Sequence, residues 1–379
     1  MFCILWPSLN GGAISMPIEF GIFDHIEASG DTPAEQIYEH RIDFVKRAEA
    51  GGFSSFHLAE HHGHRLSIAP TAAVFLAALA RETTRMKLIP TVVCLPLHDP
   101  VRLFEDLAMV DVLSHGRLEI GVGKGITPFE HLQFGHDPNE ASDRAADILT
   151  MLLRAWETGI MSSEGSRFYD FLELKLPWTL RQKPHPPLWT AGNVESAGRR
   201  GHNFIAPFTV NEAVRSHYDE LRAASRLEPG HHNPHVAEPT VAQCQGVIIG
   251  ATDEEAAAAA RRVWKLYAEQ LMQAHGTLPP HLQTSLPDTE DAKLAASKLL
   301  RDPVDAAMVV CGSVESVRDY YVERARAGFA NHFIAMLPFG TMTAEETERT
   351  IDGFIDVIIP AVREVERELV AVPAGSASN

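Results

Sequence analysis

From residue 18 onward, short runs rich in β-branched and aromatic residues alternate with longer stretches at helical spacing, and this rhythm constrains the fold more than any other feature. Eight runs read as strands: residues 18–23, 53–59, 86–95, 117–122, 188–191, 204–210, 240–249 and 332–337. Helices are expected over 34–50, 70–82, 101–113, 139–158, 195–200, 212–226, 253–274 and 314–327, with a last one from 344 to about 367. The strands are apolar throughout, as parallel strands covered by helices must be. Two stretches, 159–187 and 276–311, break the rhythm. The expected fold class is therefore α/β: a TIM-type (β/α)8 barrel with irregular insertions after strands four and seven. It occupies 16–379 as one domain, behind an extension, 1–15, expected to be disordered. The apolar run within that extension lacks a basic n-region and is too short to span a bilayer.

Fifty acidic against thirty-three basic residues give a formal charge of -17, which argues against nucleic acid and anionic membranes as partners. Cys3, Cys94, Cys244 and Cys311 are scattered, with no paired spacing for zinc or a disulfide framework, and suit a reducing cytoplasm.

In such a barrel, reactive groups sit where strands end. After strand two comes Glu60-His61-His62, with His64 close behind; imidazoles there can act as acid or base, or cap a solvated loop. A metal site made of His61, His62 and His64 is disfavoured, because adjacent loop histidines have no fixed ligand geometry and no carboxylate partner is evident. After strand four, Gly121-Val122-Gly123-Lys124-Gly125 offers backbone amides and one cation to a phosphate. It is neither a dinucleotide fingerprint nor a Walker loop, and glycines placed for tight packing at a barrel rim give the same string. After strand five, Gly192-Asn193-Val194-Glu195-Ser196 opens a helix, either as an anion-binding turn or as a plain N-cap.

Taken in order, these places resemble the luciferase-like monooxygenase family. The resemblance lies in FGIFD at 20–24, EHH at 60–62, LPLHDPVR at 95–102, DVLSHGRL at 111–118, GVGKG at 121–125, FG at 134–135 and PHPPLW at 184–189, with ESA at 195–197. It is strong over about 17–200. It implies a two-component enzyme that takes reduced FMN from a separate NAD(P)H:flavin reductase. With O2 the flavin forms a C4a-hydroperoxide, which oxygenates a small aldehyde- or ketone-like substrate. His61 matches the histidine beside the reactive edge of the flavin, with His62 behind it. Glu60, Val92, Val93, Gly123, Lys124, Gly125, Gly192, Asn193 and Ser196 are the implied cofactor contacts. Lys124 stands where luciferase has a phosphate-binding arginine, and Gly123 where it has a cysteine. Val92 and Val93 match a pair often joined by a cis peptide against the flavin ring. Relatives commonly form homodimers through the helices after strands two and three. Within the same superfamily stand F420-dependent oxidoreductases and flavin-binding proteins without turnover.

Overall fold

The computed structural model describes residues 17–28, 30–178, 180–276 and 301–371; the extension 1–15 lies outside them. Twelve strands are present among these: β1 Glu19–Asp24, β2 Ser55–Leu58, β3 Lys87–Pro90, β4 Val93–Cys94, β5 Ile120–Gly123, β6 Ile160–Met161, β7 Leu174–Lys175, β8 Leu188–Ala191, β9 Asn203–Pro207, β10 Val241–Ile249, β11 Val309–Gly312 and β12 His332–Met336. Nine parallel segments follow one another in the order β3-β2-β1-β12-β10-β9-β8-β5-β4. Because β3 and β4 are successive pieces of one chain passage, the two ends of this order meet. A parallel bridge between Leu88 and Leu118 links β3 to the residues leading into β5. The result is the expected (β/α)8 barrel, nearly closed.

Two features depart from the sequence reading. Strand three is broken: the β2–β3 ladder runs on to Thr91, whose N–H donates to the Leu58 carbonyl, and pairing resumes with Val93 against Val122. The cis peptide falls in this break at Thr91–Val92, one residue before the expected Val92–Val93 bond. The second insertion also ends earlier than expected. Val309–Gly312 pairs parallel with Gly246–Ile249 as β11, a buried apolar run that 276–311 had absorbed. The first insertion carries only the antiparallel pair β6–β7.

Helices cover the barrel with their apolar stripes. Helix Ala141–Thr158 buries Ile148, Leu149, Met151, Leu152, Ala155 and Trp156 at three- and four-residue spacing and stops at Gly159, in the left-handed region at φ 75°. Each large side chain so buried contributes roughly 1.5–3 kcal/mol. Inside the barrel, Ile89, Trp189, Ile205, Ala242 and Ile334, from five different strands, form a separate packed layer. Lys87 lies 3.4 Å from Glu19 and 3.3 Å from Glu119, and Glu119 also accepts the Trp189 indole N–H. No helix among the described residues is long and apolar enough to cross a membrane.

Candidate active site

The strand ends β1, β2, β4, β5, β8, β9, β10 and β12 surround a cavity of about 730 Å³. Glu60, His61, Val92, Gly123, Lys124, Gly125, Gly192, Asn193 and Ser196 all line it. His62 and Val93 do not. Val93 is buried in the packing between barrel and helices, and His62 turns its Nε2 to Glu60 at 3.1 Å with its ring against Phe134.

His61 is buried at the cavity wall, its Nδ1 3.2 Å from Glu130 Oε1. Its Nε2 has no hydrogen-bond partner among the described residues. The His62 backbone N–H donates to the same Glu130 oxygen at 2.8 Å. Burial alone would raise the Glu130 carboxyl, but the imidazoles of His61 and His64 and the His62 N–H outweigh it and hold the group ionised well below its ordinary range. On the other side of His61 lies His25, its ring stacked at 5.6 Å; burial keeps His25 neutral by pushing its basicity far down.

Glu60 has a different task. Its Oε1 takes hydrogen bonds from His98 Nε2 at 2.9 Å and His62 Nε2 at 3.1 Å, and its Oε2 accepts the Cys94 N–H at 3.2 Å. Burial opposes its ionisation, yet these bonds lower its pKa and raise that of His98. Glu60 thus ties β2 to β4 beneath the cavity wall.

The cavity rim after β5 is basic. Lys124 is exposed at the mouth and has no carboxylate partner among the described residues, and Arg200 lines the same side. Gly125 sits at φ 77°, where a side chain would strain the backbone, and an added Cβ at Gly121 would stand 2.5 Å from the Pro90 carbonyl. Of the two readings of the glycine string, Gly121 answers to packing and Gly125 to the turn that presents Lys124. Asn193 caps helix Val194–Arg200, its side chain accepting the Ser196 N–H at 2.8 Å. The remaining wall is apolar and aromatic: Phe23, Phe208, Trp264, Tyr267, Leu271 and Met336. Two thiols face the cavity, Cys94 and Cys244, both kept protonated by burial, the latter pushed up to about 12. Cys94 is the strand partner of Gly123, so a thiol stands beside the position where the resemblance implied one was lost.

Sequence reasoning missed Glu130, His25 and His98. Glu130 lies on helix Pro128–Gln133, which starts with proline after Thr127 and carries an acid in its first turn, a legible start signal in a stretch to which the sequence reading assigned no element. His25, directly after a strand, was legible by the same rule that singled out His61.

Residues 18–331 match the family model for luciferase-like monooxygenases. The chain belongs to the luciferase-like monooxygenase family. A family relative of unassigned activity, protein y4wF of Sinorhizobium fredii, is 30% identical over 336 residues, covering 86% of this chain and 92% of that one. The oxygenase component of a flavin-dependent trigonelline monooxygenase from Acinetobacter baylyi is 30% identical over 177 residues, 45% of this chain and 49% of its own. Among solved structures, the monooxygenase RslO1 of Streptomyces bottropensis superposes with a TM-score of 0.73 at 22% identity, over 90% of this chain and 99% of that one. A coenzyme F420-dependent tetrahydromethanopterin reductase from Methanopyrus kandleri does so at 0.64 and 16%, over 91% and 99%. At such identities the structures establish the shared fold alone. As a luciferase-like monooxygenase family member, the chain is an oxidoreductase.

Proposed function

We propose that this protein is the oxygenase of a two-component system, using reduced FMN and O2 to oxygenate a small aldehyde- or ketone-like substrate. One observation carries the reading: a single cavity has a basic, glycine-bearing rim at Lys124 and Gly125 and a carboxylate-held imidazole, His61, in its wall. The residues fit FMN. Lys124, with Gly125 and the turn at Gly192, Asn193 and Ser196, would hold the phosphate, while Val92 and Gly123 would border the ring. Reduced flavin, when bound, activates O2 for transfer of one oxygen atom. The chain's own residues position and protect. His61, fixed through Nδ1, presents Nε2 to hold or pass a proton, with His62 behind it, and the aromatic wall keeps water from the reacting centre.

The similarity to the oxygenase component of a flavin-dependent enzyme supports FMN over F420, and it supports a separate NAD(P)H:flavin reductase as the source of reduced flavin. We place the protein in the cytoplasm, where the thiols of Cys94, Cys244 and Cys311 stay reduced. A homodimer contact fits the packed helices Ala72–Glu82 and Pro100–Leu113, which expose Val74, Met109 and Val112.

Titrating the protein with FMNH2 and with reduced F420, then admitting O2, tests the reading. Tight FMNH2 binding and an oxygen-dependent flavin species that outlives free reduced flavin are expected. Preference for F420 would overturn the assignment, and decay at the rate of free flavin would leave a binding protein without turnover. His61→Ala should retain FMN within about tenfold yet lose roughly 100-fold or more in oxygenation of an added aldehyde. Unchanged turnover would remove His61 from the chemistry.

A further inference from the structure

The loop after β2 and helix Pro128–Gln133 bring one ligand atom each from His61, His64 and Glu130 within 4.8 Å of one another. Glu130 Oε1 lies 3.2 Å from His61 Nδ1 and 3.4 Å from His64 Nε2. Bonds of about 2.0–2.1 Å to zinc, set at tetrahedral angles, leave neighbouring donors roughly 3.3 Å apart. Two edges of a coordination tetrahedron are therefore already built. His64 Nε2 is buried and, beyond its 3.4 Å approach to this oxygen, has no hydrogen-bond partner, so the flavin reading gives His64 no direct task.

The surroundings favour a cation. Two buried carboxylates, Glu130 and Glu60, stand among the imidazoles of His61, His62, His64 and His98. The His62 N–H bond to Glu130 orients the carboxylate as an outer-shell contact would. The carboxylate that the histidine string lacked in sequence is supplied by Glu130, and His62, engaged with Glu60, drops out of the set.

We propose that His61, His64 and Glu130 form a binding site for a divalent transition-metal ion of the zinc class. Two imidazoles and a carboxylate are a borderline donor set that leaves a fourth position for water or a donor group in the cavity. Coordination through Nδ1 would leave His61 Nε2 directed away from the metal. The inference is independent of the flavin assignment, although the two share His61.

The test uses the full chain stripped with chelator. Zn2+ alone is titrated calorimetrically and Co2+ alone by visible absorption, each with and without FMN. Expected are one equivalent bound with a dissociation constant of about micromolar or tighter, and the intense bands of tetrahedral Co2+. His64→Ala should weaken Zn2+ by roughly 100-fold or more, since even outer-shell contacts are worth about 10–100-fold, while FMN affinity stays within about threefold. Equal Zn2+ affinity in His64→Ala and Glu130→Gln would assign the ion to other histidines and overturn the site. Should those variants not fold, weak octahedral Co2+ absorption by the unmodified chain would overturn it as well. Loss of FMN binding with metal binding intact would count against the flavin reading alone.

Discussion

At the scale of single residues, the rim cation admits a clean test. Lys124 is an exposed point charge on a turn, so its contribution to ligand binding is the charge and little else. Lys124→Ala should weaken FMN by about tenfold or more, or roughly 1.4 kcal/mol, and leave riboflavin, which has no phosphate, nearly unchanged. Equal weakening of both, measured by fluorescence titration, would refute a phosphate role. His61, Lys124 and Gly125 were legible because each follows a strand directly. Glu130 escaped because its partner histidines lie about seventy positions away, and sequence spacing carries no trace of a contact closed by the barrel.

Among elements, the barrel order was readable from periodicity, whereas its irregularities were not. The break in strand three is invisible because residues 88–90 and 93–95, on either side of Thr91–Val92, are all apolar. The run at Val309–Gly312 is short and follows a stretch with no strand pattern of its own. Another detail fixes how the first insertion returns to the barrel. Fully buried Asp111, near the end of helix Pro100–Leu113, accepts the backbone N–H groups of Arg181 and Gln182 at 2.8 and 3.1 Å and the Gln182 amide at 2.9 Å. Removing the carboxylate takes away the partner of three part-buried donors from inside the packed structure. Asp111→Ala should therefore lower unfolding free energy by about 2–4 kcal/mol in urea titrations. A loss below about 0.5 kcal/mol would show that water replaces the carboxylate.

For the molecule as a whole, two kinds of buried group set opposite pH limits. Burial pushes the Glu27 carboxyl up from 4.5 to about 7 against the Gly340 N–H that it accepts. The folded chain then holds this proton more tightly than the unfolded chain, so the stabilisation is complete below about pH 4.5 and is lost as pH rises through 7. His332 and His232 run the other way, lowered by burial from 6.5 to about 3 and about 4. Their stabilisation is complete above about pH 6.5 and is lost as pH falls toward those values. Glu27→Gln should match the unmodified protein within about 1 kcal/mol at pH 5 and exceed it by up to ~3 kcal/mol at pH 8. A gap that does not widen with pH would show that Glu27 does not titrate in this range.

The layer of Ile89, Trp189, Ile205, Ala242 and Ile334 has a kinetic meaning as well as a packing one. It plugs the barrel below the cavity, and Ile205 belongs to both. Among the described residues, traffic must then come and go from the strand-end side, as in a blind alley. Whatever sits deeper arrives first and departs last, so the order in which reactants bind is written into the plug, and product-inhibition patterns should read as a compulsory sequence.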